Sequence, residues 1–128
     1  MNAIEVITLF VEDLAAAKSF YHQVFRRPVV YEDAVSAVLK FDNLLLNLLQ
    51  ATEAPGLVEP LAVAPRGAGA RMLLTIAVDD VDAVCRELES RGVRLLNGPI
   101  DRPWGRRTAA FADPAGNVWE IAHDLPKA

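Results

Sequence analysis

From Ile4 to Val11 the chain reads IEVITLFV, rich in β-branched residues and alternating in polarity, which predicts a strand. After Asp13 the spacing becomes helical. Leu14, Ala17, Tyr21 and Val24 fall on one face of LAAAKSFYHQVF, and Asp13 stands where an N-cap belongs. Three short strands follow in the pattern, PVVYED, AVSAVLKF and LLLNLLQ, with Asp42-Asn43 as a hairpin signal. The second half repeats this order. MLLTIAV reads as a strand, and Asp80 caps VDAVCRELESR, whose Val81, Val84, Cys85 and Leu88 share a face. Gly92 ends that helix as a C′ residue should, and strands around VRLLNG, RTAAFA and NVWEIAH complete the set.

The two cap positions lie 67 residues apart, so each half is β-α-β-β-β and the chain reads as a duplicated module. Module 1 is expected over residues 1–50 and module 2 over 71–128, the two making one domain. Between them runs ATEAPGLVEPLAVAPRGAGA, residues 51–70. A connection this long is a plain linker, a flap over a cavity, or the hinge of an exchange between subunits. In FADPAGNVWEI, Pro114 and Gly116 suit a tight turn, Trp119 and Ile121 read as core, and Glu120 interrupts an otherwise apolar strand.

Composition narrows the classes. Of 128 residues 52% are hydrophobic and 23% charged, which describes a globular domain rather than a disordered chain. The longest apolar run, within NLLLNLLQA, is far below the roughly 20 residues of a membrane helix, so no membrane partner is expected. Net charge is −4, and the basic groups Arg26-Arg27 and Arg102, Arg106, Arg107 are too small for a nucleic-acid footprint. The N-terminus lacks the basic segment of a secretory leader, and the single Cys85 reads as a small buried helix residue. Together these point to a reducing, cytoplasmic setting.

The segments VEDLAAAKSFYHQVF (11–25), VDDVDAVCRELESRGV (78–93), PWGRR (103–107) and DPAGNVWEI (113–121) resemble, in order and spacing, the vicinal oxygen chelate superfamily. That superfamily groups glyoxalase I, extradiol dioxygenases, fosfomycin resistance enzymes and bleomycin-binding proteins. Arg26 departs from it, standing where the family usually has glycine. The resemblance implies an α+β fold in which two βαβββ modules form an open, cup-shaped mixed sheet with helices on the convex side. It also implies a homodimer, in some members with exchanged modules.

Strand alternation then assigns faces. Ile7, Leu9 and Val11 go to the helix side, as do Leu74, Ile76 and Val78, while Val6, Thr8, Phe10, Leu73, Thr75 and Ala77 face the cup. Leu45, Asn47 and Leu49 look in, and so do Val118, Glu120 and Ala122. Metal-bearing family members use His or Glu on four strands, and the resemblance places those positions at Val6, Asn47, Leu73 and Glu120. Valine and leucine offer no donor and an amide oxygen is a weak one, so no metal and no other cofactor is expected. His22 lies on the exposed side of its helix, and His123 has the opposite strand parity to Glu120.

The reading that follows is a metal-free binding protein holding an apolar or aromatic small molecule. Val6, Phe10, Leu73 and Trp104 supply apolar surface, and Thr8, Asn47, Thr75 and Glu120 supply orientation. For Val6 and Leu73, simple core packing is the competing explanation. Arg107 either reaches the cup as an anion anchor or is a surface charge on an edge strand. The alternative is a lyase-, isomerase- or dioxygenase-like enzyme in which Glu120 is an acid, a base or a metal ligand, its pKa raised in an apolar cup. In either case the expected partners are a small molecule and a second copy of the chain, without nucleic acid.

Overall fold

In a computed structural model that describes residues 1–70 and 72–127, the strand and helix order is the one the pattern predicts. The chain divides into two compact units, Met1–Gly69 and the remainder from Ala70. The first holds β1 (Val6–Val11), α1 (Leu14–Phe25), β2 (Val29–Glu32), β3 (Ser36–Lys40) and β4 (Leu45–Gln50). A short helical turn, α2 (Pro55–Val58), follows within the Ala/Pro/Gly-rich segment, where Ala54 is buried. The second unit holds β5 (Leu73–Ala77), α3 (Val81–Ser90), β6 (Leu95–Asp101), β7 (Arg106–Ala112) and β8 (Val118–Asp124). No helix among the described residues is long and apolar enough to cross a membrane.

Each unit is a four-stranded mixed sheet, in the order β1-β4-β3-β2 and β5-β8-β7-β6. The first and last strands of each module run parallel, with Val6 opposite Leu45 and Leu73 opposite Val118. A parallel pair needs a crossover, and the helix supplies it. The helix therefore lies over one sheet face, and alternation sends the apolar residues there. In the first unit Leu9, Val11, Leu46 and Leu48 are buried with Leu14, Ala17 and Tyr21 of α1. Tyr21 stacks on Phe25 at 5.7 Å and meets Phe20 edge-on at 5.2 Å. In the second unit Ala109, Phe111, Trp119 and Ile121 are buried with Val81, Cys85 and Leu88 of α3.

The helix starts are built alike. Asp13 accepts from the Ala16 N–H at 3.0 Å, and Asp80 from the Ala83 N–H at 3.1 Å. A second tie comes from the last strand. Gln50 Oε1 accepts from the Leu14 N–H at 3.2 Å, and His123 Nδ1 accepts from the Val81 N–H at 2.9 Å. These side chains satisfy donors that a helix leaves free at its first turn. His123 thus faces α3, on the side its strand parity indicates.

The helix ends differ. Gly92 has φ +81°, with its N–H on the Glu89 carbonyl and that of Val93 on Leu88, a Schellman closure. Arg26 must reach the same left-handed region with a side chain, at φ 52° and ψ 32°. It is the sole non-glycine residue with positive φ among those described. β6 runs beyond the NG where the pattern ended it, to Asp101, through a bulge at Gly98. A Cβ on Gly98 would sit 2.4 Å from the Thr108 carbonyl oxygen, so only glycine lets β6 pass this close to β7.

Two stability changes are expected. Arg26→Gly removes a left-handed strain of roughly 1 kcal/mol, partly offset by glycine's freedom in the unfolded chain, so the melting temperature should rise by about 2–5 °C. His123→Ala strands a buried N–H and should cost about 1–3 kcal/mol in chemical denaturation, whereas His123→Gln, copying the first unit's solution, should keep most of it.

Candidate functional site

Because each helix covers one face of its sheet, the residues that can meet a ligand lie on the opposite face. Cross-strand register lines them up in one transverse row per unit. In the first unit the row is Thr8, Asn47, Val38 and Tyr31; in the second it is Thr75, Glu120, Ala110 and Asn97. The rows correspond position by position, with a threonine on the first strand beside a polar side chain on the last.

Within the rows the polar pairs touch. Asn47 Nδ2 donates to Thr8 Oγ1 at 3.4 Å, and Thr75 Oγ1 donates to Glu120 Oε1 at 3.0 Å. Asn47 Oδ1 is buried and has no donor among the described residues. Glu120 is half-buried, forms no ion pair among the described residues, and has the Thr75 hydroxyl as its one hydrogen-bond donor there. Beside these pairs Val6 is 39% and Leu73 52% exposed, and Phe10 is half-buried, so the first strands present apolar surface rather than sealed core.

The register corrects one site residue. Arg107 lies opposite His123, in phase with Ala109 and Phe111, and therefore on the helix side. Its guanidinium grips both carboxylate oxygens of Asp82 on α3 at 2.8 Å and that of Asp101 at 2.8 Å. These bonds raise the pKa of Arg107 and lower that of Asp82. Arg107 is neither an anion anchor on the open face nor an edge-strand charge, since β7 runs between β8 and β6; it clamps helix to sheet.

Arg102 takes the other side. Thr108 is in phase with Ala110 and Ala122, is 1% exposed, and its Oγ1 accepts from Arg102 Nε at 3.0 Å. Arg102 Nη2 donates to Asn97 Oδ1 at 3.3 Å, and its Cζ lies 5.8 Å from the centre of the Trp104 ring. Trp104, in the β6–β7 turn, is 65% exposed and borders a shallow depression of about 490 Å³ with Gly105 and residues 124–127. The sequence signal for this choice was strand parity, which puts Arg107 among apolar helix-side residues.

A model of the Glyoxalase/Bleomycin resistance protein/Dioxygenase superfamily matches residues 3–121. The chain belongs to this superfamily. Among relatives, it is similar to the uncharacterized protein YraH of Bacillus subtilis (strain 168), 31% identical over 119 residues, 90% of this chain and 93% of that one. Among solved structures, a glyoxalase/bleomycin resistance protein/dioxygenase from Nocardioides superposes with a TM-score of 0.86 at 23% identity, covering 100% of this chain and 87% of that one. A glyoxalase-related enzyme from Fulvimarina pelagi gives 0.81 at 26% identity, covering 95% and 88%. The former shares the fold.

The metal positions of the superfamily can now be tested on the donor set. Val6 and Leu73 carry no donor, and the Asn47 amide nitrogen is turned to Thr8. Among the described residues no group of three or more His, Cys, Asp or Glu side chains could hold a metal ion. The residues at these positions do not fit a divalent metal.

The placement of Asn47 costs the fold stability, because a buried carbonyl without a donor forfeits its hydration. Asn47→Leu should therefore raise stability by about 1 kcal/mol, read as an increase in denaturation midpoint at unchanged slope.

Proposed function

We propose that the protein binds a small organic molecule on the helix-free sheet face and acts by holding it, without a metal. The observation that carries this reading is the helix-free sheet face of the second unit, where the half-buried Glu120 carboxylate has only the Thr75 hydroxyl as donor among the described residues and Leu73 lies exposed beside them. In the first unit the apolar Val6 and Phe10 flank Thr8 on that face, and in the second Leu73 stands beside Thr75 and Glu120, so each face carries the mixture of surface and orientation that small-molecule sites use. The ligand class this favours is apolar or aromatic, and sequestration of a toxic compound such as an antibiotic is the role that fits a site without a metal.

A second reading is an enzyme of the same superfamily using Glu120 as acid or base. It is favoured by the carboxylate's having, among the described residues, a single neutral donor and no paired cation, which leaves one oxygen free to take or give a proton. Nothing comparable stands at Asn47, the matching position of the first unit.

The protein is also proposed to work as a homodimer in the cytoplasm. Val29, Val30 and Tyr31 on the edge strand β2 are about half exposed, an apolar edge suited to a second copy. Cys85 is a buried free thiol, in keeping with a reducing compartment.

Two measurements test the main reading. Elemental analysis of purified protein should find zinc, nickel and iron far below one per chain; stoichiometric metal would overturn the metal-free claim. A thermal-shift panel of aromatic compounds should contain members that raise the melting temperature, and Glu120→Gln should change that response while leaving the unliganded protein folded. A panel with no shifts would remove the binding reading, and turnover of a bound compound that is lost in Glu120→Gln would favour the enzyme.

A further inference from the structure

Five arginines among the described residues are part-buried, namely Arg27, Arg91, Arg102, Arg106 and Arg107, and four of them are paired with carboxylates. Arg102 is the exception. Its contacts are the neutral oxygens of Thr108 and Asn97 and the Trp104 ring. A guanidinium has five N–H donors, and these two bonds leave three unused, including both on Nη1. The bonds to Thr108 and Asn97 hold the group in place without neutralising it. A cation that is oriented, half desolvated and without a counter-charge among the described residues is the arrangement from which a carboxylate gains most.

The neighbours select among anions. Asn97 lies in the same transverse row as Glu120, with Ala110 between them. Two strand spacings, about 9–10 Å, therefore separate the Glu120 and Asn97 backbones, so the carboxylate and the asparagine that holds the guanidinium stand on either side of the small Ala110. A dianion would face Glu120 with no second cation from the β6–β7 turn to offset it, since Arg106 and Arg107 are committed to Asp124, Asp82 and Asp101. A monoanion has one partner and needs no other. Trp104, with Arg102 over its ring and 65% of its surface open, offers stacking to a flat ring attached to that anion.

We infer that Arg102, positioned by Thr108 and Asn97 and flanked by Trp104, is the anchor for the carboxylate of an aromatic monoanion. The inference deepens, and rests on, the reading of the protein as a small-molecule binder. It is tested by calorimetric titration of the full chain with 2-naphthoate and with 2-naphthamide, which share shape and differ in charge. The expected result is that naphthoate binds about tenfold tighter or more, and that Arg102→Gln removes the difference between the two compounds. Arg102→Lys, which keeps the charge and loses the fork, should retain part of the preference. The wild-type comparison stands even where a variant unfolds, and the melting temperature of each variant reports that. Equal binding of the two compounds overturns the anion anchor and leaves the small-molecule reading intact. A preference that persists in Arg102→Gln overturns the assignment to this residue. Binding of neither compound overturns the anchor, and only with a blank thermal-shift panel does the broader reading fall with it.

Discussion

Each unit depends on a parallel pairing between its first and last strands. That pairing obliges the chain to cross over the sheet, and the crossover is the helix. Gln50 and His123 then fasten the helix start to the last strand, by bonds from the Leu14 and Val81 N–H groups. The same strand that closes the sheet thus also fixes where the helix begins. Everything on the opposite face follows from this, because alternation leaves every second residue of β1, β4, β5 and β8 away from the helix. Thr8, Asn47, Thr75 and Glu120 are on the open face because Leu9, Leu46, Ile76 and Ile121 are required on the other.

This is why so much of the fold was legible. Two Asp caps, a Gly C′ and alternation are local signals, and α1, α3 and every strand but β6 fall where they place them, with their apolar faces inward. The residues that escaped act over distance. Gln50 and His123 carry no local mark of their role, since the N–H groups they meet are 36 and 42 residues away. The extension of β6 depends on Gly98 fitting against Thr108 and Ala109, a tertiary contact. Within IDRPWGRR three arginines look equivalent in composition, yet strand parity and the turn send Arg107 to Asp82, Arg106 to Asp124 and Arg102 to Thr108.

Arg26 shows the same logic at the backbone level. The two helices need similar left-handed exits, and the second has glycine there while the first has arginine. The fold tolerates the strain because a helix with Leu14, Ala17 and Tyr21 buried has stabilisation to spare at one exposed end. Duplication fixes the geometry of both modules but leaves each side chain free to drift within it.

The open faces have drifted further, and with a direction. In the first unit the row beside β1 is neutral, and its one unsatisfied group is an amide oxygen. In the second the corresponding side chain is a carboxylate, and the far end of the row carries a guanidinium with no carboxylate partner among the described residues. Ala110 lies between them where the first unit has Val38. A residue with a longer polar side chain there could bridge Glu120 to Arg102 and cancel both charges internally. Alanine cannot, so the carboxylate and the guanidinium stay available to an outside molecule. The chemical character of the second unit's face thus rests on the smallness of one residue as much as on the two charges it separates.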